Sequence, residues 1–163
     1  MKTITLSVSR NEILYDVNNI SFVTSDLMEQ GEAKHQVADV GQKGNVDWAT
    51  RIMNLSFREV VEALYPFAKT AVEDGYTKDD TFTENSTYSV ELNVVDDFSQ
   101  TTADLIVELI HNFMVYRILY EWFIITSPDR AKEWETKYLE TLRDIRNKLN
   151  NRTGVTRRKL SPW

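Results

Sequence analysis

The sequence predicts an α-dominant α+β fold: a helical bundle of about four helices with a small β element, an extended loop and a C-terminal arm. Three observations predict it. Only 5 Gly and 3 Pro punctuate 163 residues, which favours long helices over frequent turns. Apolar residues recur at helical spacing through four segments. Two short runs, residues 3–9 and 88–94, alternate apolar and polar residues instead. A chain of this length makes about one domain and can bury a core without disulfide staples. Residues 1–151 form that domain, and residues 152–163 form the arm.

The first strand, residues 3–9, puts Ile4, Leu6 and Val8 on one face. Ser9 and Glu12 then read as a capping box that opens a helix over residues 10–27. Ile13, Val17, Ile20 and Val23 are its expected core stripe, and Asn18-Asn19 are expected to weaken its middle. Residues 29–45 hold Gly31, Gly41 and Gly44 with no stable period, so a loop of about 17 residues is expected there. A second helix follows over residues 46–72, with Met53, Phe57, Val60, Leu64 and Phe67 on one side and a kink or restart at Pro66. Tyr88, Val90, Leu92 and Val94 mark the second strand. A lone pair of strands is marginal in water, so its edges are expected to meet helices, another copy or a partner.

The third helix, residues 99–125, is apolar nearly all round, which predicts the most buried element of the bundle. Leu105, Leu109, Phe113, Tyr116, Tyr120 and Phe123 are its expected stripe. Ser127-Pro128 starts the fourth helix as N-cap and first helical residue. Its core face is Ala131, Trp134, Tyr138, Leu142, Ile145 and Leu149, up to about residue 150.

Charge divides the chain. Residues 1–127 carry a net −11 and residues 128–163 a net +5. The arm itself holds Arg152, Arg157, Arg158 and Lys159, no acid, and a terminal Pro162-Trp163. These four cations and Trp163 are the expected partner-binding residues: an acidic body and a basic arm pair head to tail between copies. The acidic body argues against duplex DNA as the main ligand. No apolar run reaches the ~18 residues of a membrane span, and residues 1–9 lack the apolar centre of a signal peptide. Membrane residence and secretion by that route are not expected. With 0 Cys there is no disulfide framework and no thiolate metal site.

Chemical motifs are few. Glu32-x-x-His35 and Glu108-x-x-His111 match in number the two Glu-x-x-His motifs of a di-iron bundle, which needs one further Glu from each of two other helices. The first pair falls in the expected loop, and Glu59, Glu62, Glu133 and Glu140 lie off the core faces of their helices. Neither a metal, another cofactor nor a catalytic activity is therefore expected. There is no phosphate-cradling glycine run.

The order of elements carries one resemblance. Tyr88-Ser-Val-Glu-Leu-Asn-Val-Val-Asp-Asp-Phe, followed by His111-Asn-Phe-Met-Val-Tyr-Arg-Ile-Leu-Tyr-Glu-Trp-Phe, resembles small structural proteins of tailed phages and prophages of gut bacteria. These are head-to-tail connector or ring proteins below the portal. The resemblance implies a virion subunit, assembled in the bacterial host cytoplasm, that forms a ring with copies of itself. Portal or other neck and tail proteins would be its partners, with DNA passing nearby in the channel. Two other classes fit the sequence: a helical partner-binding or regulatory module, and a metal-dependent helical-bundle enzyme.

Overall fold

The computed structural model describes residues 1–28, 33–68 and 84–150. In chain order these form β1 (Lys2–Ser9), α1 (Arg10–Asp26), α2 (Ala33–Ala38), one 3-10 turn (Asp39–Gly41), α3 (Lys43–Leu64), β2 (Thr87–Val94), α4 (Gln100–Thr126) and α5 (Pro128–Asn150). The fold is α-dominant α+β as expected, with five α-helices among the described residues rather than four.

The additional helix corrects the loop expected over residues 29–45. Val37 and Val40 are fully buried, and the Trp122 indole N–H donates to the Val37 carbonyl at 2.9 Å. Two apolar anchors and one buried hydrogen bond hold a segment too short to show a period of its own. Gly41 lets this turn approach α1, because a β-carbon there would collide with the Asn18 amide. α3 then begins at Lys43 and stops at Leu64, before Pro66. Proline's ring and missing N–H end the helix there rather than kink it. Residues 65–68 are turn and irregular chain, and residues 69–72 of the expected continuation lie outside the described residues.

β1 and β2 pair antiparallel, in register from Lys2 opposite Val94 to Ser9 opposite Thr87. Leu6, Val8, Tyr88, Val90, Leu92 and Val94 are buried on the inner face, against α4 and α3. Thr3, Thr5, Ser7, Ser89, Glu91 and Asn93 are exposed on the outer face. Helices thus supply the apolar cover that two strands lack by themselves.

Ser9 holds the N-cap position of α1 in extended geometry, but its hydroxyl makes no capping bond, so the expected box with Glu12 does not form. Arg10 fixes the helix start instead. It is buried, donates to Thr50 Oγ1 on α3 at 2.9 Å and pairs with Glu84 at 2.7 Å. Its backbone N–H donates to the Ser86 carbonyl at 3.1 Å. α1 runs unbroken through Asn18-Asn19. Its buried side follows a strict i, i+4 row, Ile13, Val17, Ser21 and Ser25, and Val23 falls off it onto solvent. Ser21 and Ser25 are tolerated inside because their hydroxyls donate to the Asn18 and Phe22 carbonyls of the same helix.

α4 is the centre of the molecule. Eleven of its residues are buried, including Ile106, Ile110, Phe113, Met114, Ile118, Leu119 and Phe123. The buried face runs through Thr102, Ala103 and Ile106 rather than Leu105, which is 37 % exposed. After the Ser127 turn, α5 runs back along α4. Trp134 stacks on Phe123 with ring centroids 5.9 Å apart, and Tyr138 meets Tyr120 at 5.2 Å.

Candidate functional site

An open cleft of about 720 Å³ lies beside the start of α1. β1 contributes Ser7, Val8 and Ser9. α1 contributes Asn11, Glu12, Tyr15 and Asp16, and α4 contributes Asp104, Val107, Glu108 and His111. Helical geometry produces this convergence. Glu12 and Asp16 are one turn apart on α1, while Asp104, Glu108 and His111 fall at i, i+4 and i+7 on α4. Four carboxylates and one imidazole line the cleft, and no Lys or Arg does.

One polar contact ties the two helices across the cleft. His111 Nε2 and Asp16 Oδ2 lie 2.6 Å apart. The His111 side chain is 17 % exposed and the Asp16 side chain 45 %. A carboxylate that orients an imidazole is two-thirds of a hydrolytic triad. The third member is lacking among the described residues, where no hydroxyl hydrogen-bonds the His111 ring. The same pair also serves as a clamp between α1 and α4, and that role needs nothing further. Glu108 shares the cleft with His111, as their spacing suggested, but His35 lies exposed on α2 and Glu32 lies outside the described residues. The two Glu-x-x-His pairs are therefore not brought together as described ligands. No group of three or more His, Asp or Glu among the described residues is arranged to hold a metal ion.

A second charged cluster sits where α3, α4 and α5 meet. Arg117 pairs with Glu121 one turn along α4 and with Glu59 of α3 at 3.4 Å. Its guanidinium also lies 5.1 Å from the Tyr138 ring centre and 5.5 Å from that of Tyr120. Burial disfavours its charge, but the Glu59 and Glu121 carboxylates outweigh that and hold its pKa above the ordinary arginine value. The cluster is packed into the helix seam and faces no cleft, so it is a structural lock.

The surface carries a third feature. Along α1, opposite its buried row, Tyr15 is 67 % exposed, Phe22 64 % and Val23 56 %, and Leu27 just beyond the helix is 76 % exposed. Tyr15 also lines the acidic cleft.

The expected partner-binding residues Arg152, Arg157, Arg158, Lys159 and Trp163 lie outside the described residues. Sequence reasoning paired Glu108 with His111 but did not bring Glu12, Asp16 or Asp104 to them. The i, i+4 acidic pairs at 12/16 and 104/108 were the available signal. No helix among the described residues is long and apolar enough to cross a membrane. Comparison of this chain with protein-family models, with curated proteins and with solved structures finds no match.

Proposed function

We propose that this chain is a structural subunit that assembles with copies of itself. A connector ring of a tailed phage, joining portal to tail, is the concrete form of that assembly. The observation that supports this reading best is the exposed apolar stripe of α1. Tyr15, Phe22 and Val23 of α1, and Leu27 just past its end, are each more than half exposed. Large contiguous apolar patches on soluble proteins mark interaction surfaces. The charge division adds to it: residues 1–127 at −11 and residues 128–163 at +5 suit head-to-tail contact between identical chains. The ring and its portal and tail partners rest on the resemblance of residues 88–98 and 111–123 to connector proteins, and so does its place in a virion.

Sedimentation of the purified chain, with electron microscopy of the product, tests the reading. Closed assemblies of many copies are expected, together with their loss in Phe22→Ser/Leu27→Ser. A chain that stays monomeric from micromolar concentration upwards, and does not cosediment with assembled particles, would contradict it.

A further inference from the structure

Among the described residues, the edge of β1 that faces away from β2 is open. Asn93 of β2 donates its N–H to the Phe67 carbonyl, away from β1, so the Thr3–Asn93 pair is of the non-hydrogen-bonded kind. The alternation then directs the backbone groups of Thr3, Thr5 and Ser7 away from β2. No backbone group among the described residues accepts or donates to them there. Ser7 stands at the rim of the acidic cleft. An open strand edge is a template for pairing with another chain.

The chain contains a segment that fits this edge. Residues 155–160 read Val-Thr-Arg-Arg-Lys-Leu, a basic run free of Gly and Pro that lies between Gly154 and Pro162. Residues 152–163 hold four cations and no acid, while Glu12, Asp16, Asp104 and Glu108 of the cleft meet no Lys or Arg in its lining. We propose that the arm of a second copy adds as a strand to the β1 edge, with Arg157 and Lys159, which share one strand face, over the acidic cleft. This rests on the self-assembly reading and names the contact that makes it. Backbone hydrogen bonds supply the pairing, as in strand addition generally, and opposite charge selects the segment. A second copy is the favoured source because Tyr15 belongs both to the cleft and to the apolar stripe. A copy seated on the stripe is already beside the groove, and an arm of twelve residues can span roughly 40 Å.

Three full-length variants test it by sedimentation at low salt. Arg157→Glu/Arg158→Glu/Lys159→Glu reverses the arm, and Glu12→Lys/Glu108→Lys reverses the cleft at two exposed positions. Each alone should lose at least tenfold in association. Mixed together they should associate again, because each arm then finds a cleft of opposite charge on the other chain. Thr5→Pro removes an N–H that points away from β2, so it should block strand addition and leave the β1–β2 ladder and the melting temperature nearly intact. Association of the wild type should fall with salt. If wild type associates but the reversed variants or Thr5→Pro associate equally well, the edge-and-arm contact is wrong and the assembly reading stands. Failure of the mixture to associate would show that no arm passes between copies. A wild type that is monomeric throughout sinks both.

Discussion

α4 and α1 are both long helices in the same bundle, yet they meet water in opposite ways. α4 buries eleven residues and is wrapped by β1, α1, α3 and α5. α1 buries one narrow row, two of its members serine, and shows Tyr15, Phe22 and Val23 to solvent. Most apolar side chains of α4 are used within the chain, with Leu105, Ile124 and Ile125 exposed towards its ends, whereas α1 exposes Tyr15, Phe22 and Val23 along its length. Stability is therefore concentrated on the α4 side, and recognition on the α1 side.

The largest effect should come from α4. Phe113 is fully buried and meets Tyr138 edge-on with ring centroids 6.1 Å apart. Phe113→Ala should cost about 3–5 kcal/mol and lower the melting temperature by about 10 °C. Phe22→Ala, the same change on α1, should alter stability by no more than about 0.5 kcal/mol while weakening self-association. Thermal denaturation of the two variants side by side decides it. Equal losses would mean that α1 is as much a core element as α4.

The lock at Arg117 comes next. Its side chain is 14 % exposed, with Glu59 at 33 % and Glu121 at 29 %. Arg117→Met leaves two partly buried carboxylates without their cation. A fully buried pair broken this way costs more, so with some solvent access a loss of about 2–3 kcal/mol is expected. Adding Glu59→Gln and Glu121→Gln should restore most of it, and urea unfolding of the single and triple variants measures the difference. A triple variant no more stable than Arg117→Met would show that the ring contacts of Arg117, rather than its charge, hold the seam.

Between the two regions stands α2, held to α4 by the hydrogen bond from Trp122 to Val37 and packed beside the Trp48–Trp122 contact, whose centroids lie 5.6 Å apart. Trp122→Phe removes the indole donor and should cost about 1 kcal/mol. Hydrogen exchange should quicken in residues 33–41 more than in α4. Uniform quickening would instead make α2 part of the cooperative core.

What could be read from the sequence follows the same contrast. The α4–α5 hairpin was legible because long apolar periods and the Ser127-Pro128 cap act within a few turns of chain. The β1–β2 alternation was legible for the same local reason. α2 was not, since only two valines and a hydrogen bond from Trp122, 85 residues away, make it helical. Ser9 was recognised as a cap position, but Arg10 took the anchoring role through Thr50 and Glu84, contacts no local pattern encodes. The cleft was half legible: Glu108 and His111 were noticed as a pair, while their partner Asp16 comes from a helix 95 residues earlier. Val23 was misplaced because serines, rather than apolar residues, continue the buried row.

The smallest predicted effect compares one tyrosine from each side of the molecule. Tyr88 lies on β2, donates to Asn54 of α3 and meets Phe57 at 5.2 Å; Tyr138 lies on α5 beside Arg117. Burial raises both phenol pKa values above the ordinary 10.0, with Arg10 opposing the rise at Tyr88 and Arg117 opposing it at Tyr138. Below pH 10 the folded and unfolded chains both keep these protons, so the contribution to stability is complete. As pH rises past 10 the unfolded chain releases them first, and stability falls until the folded pKa is passed. Lysines titrate in the same range, so the readout is the difference between wild type and variant. Tyr88→Phe and Tyr138→Phe should each flatten the alkaline loss measured by urea midpoints between about pH 9 and 11. Tyr88→Phe should also lose about 1 kcal/mol at neutral pH, for the bond to Asn54. Alkaline slopes unchanged in both variants would mean that neither phenol has to ionise only on unfolding.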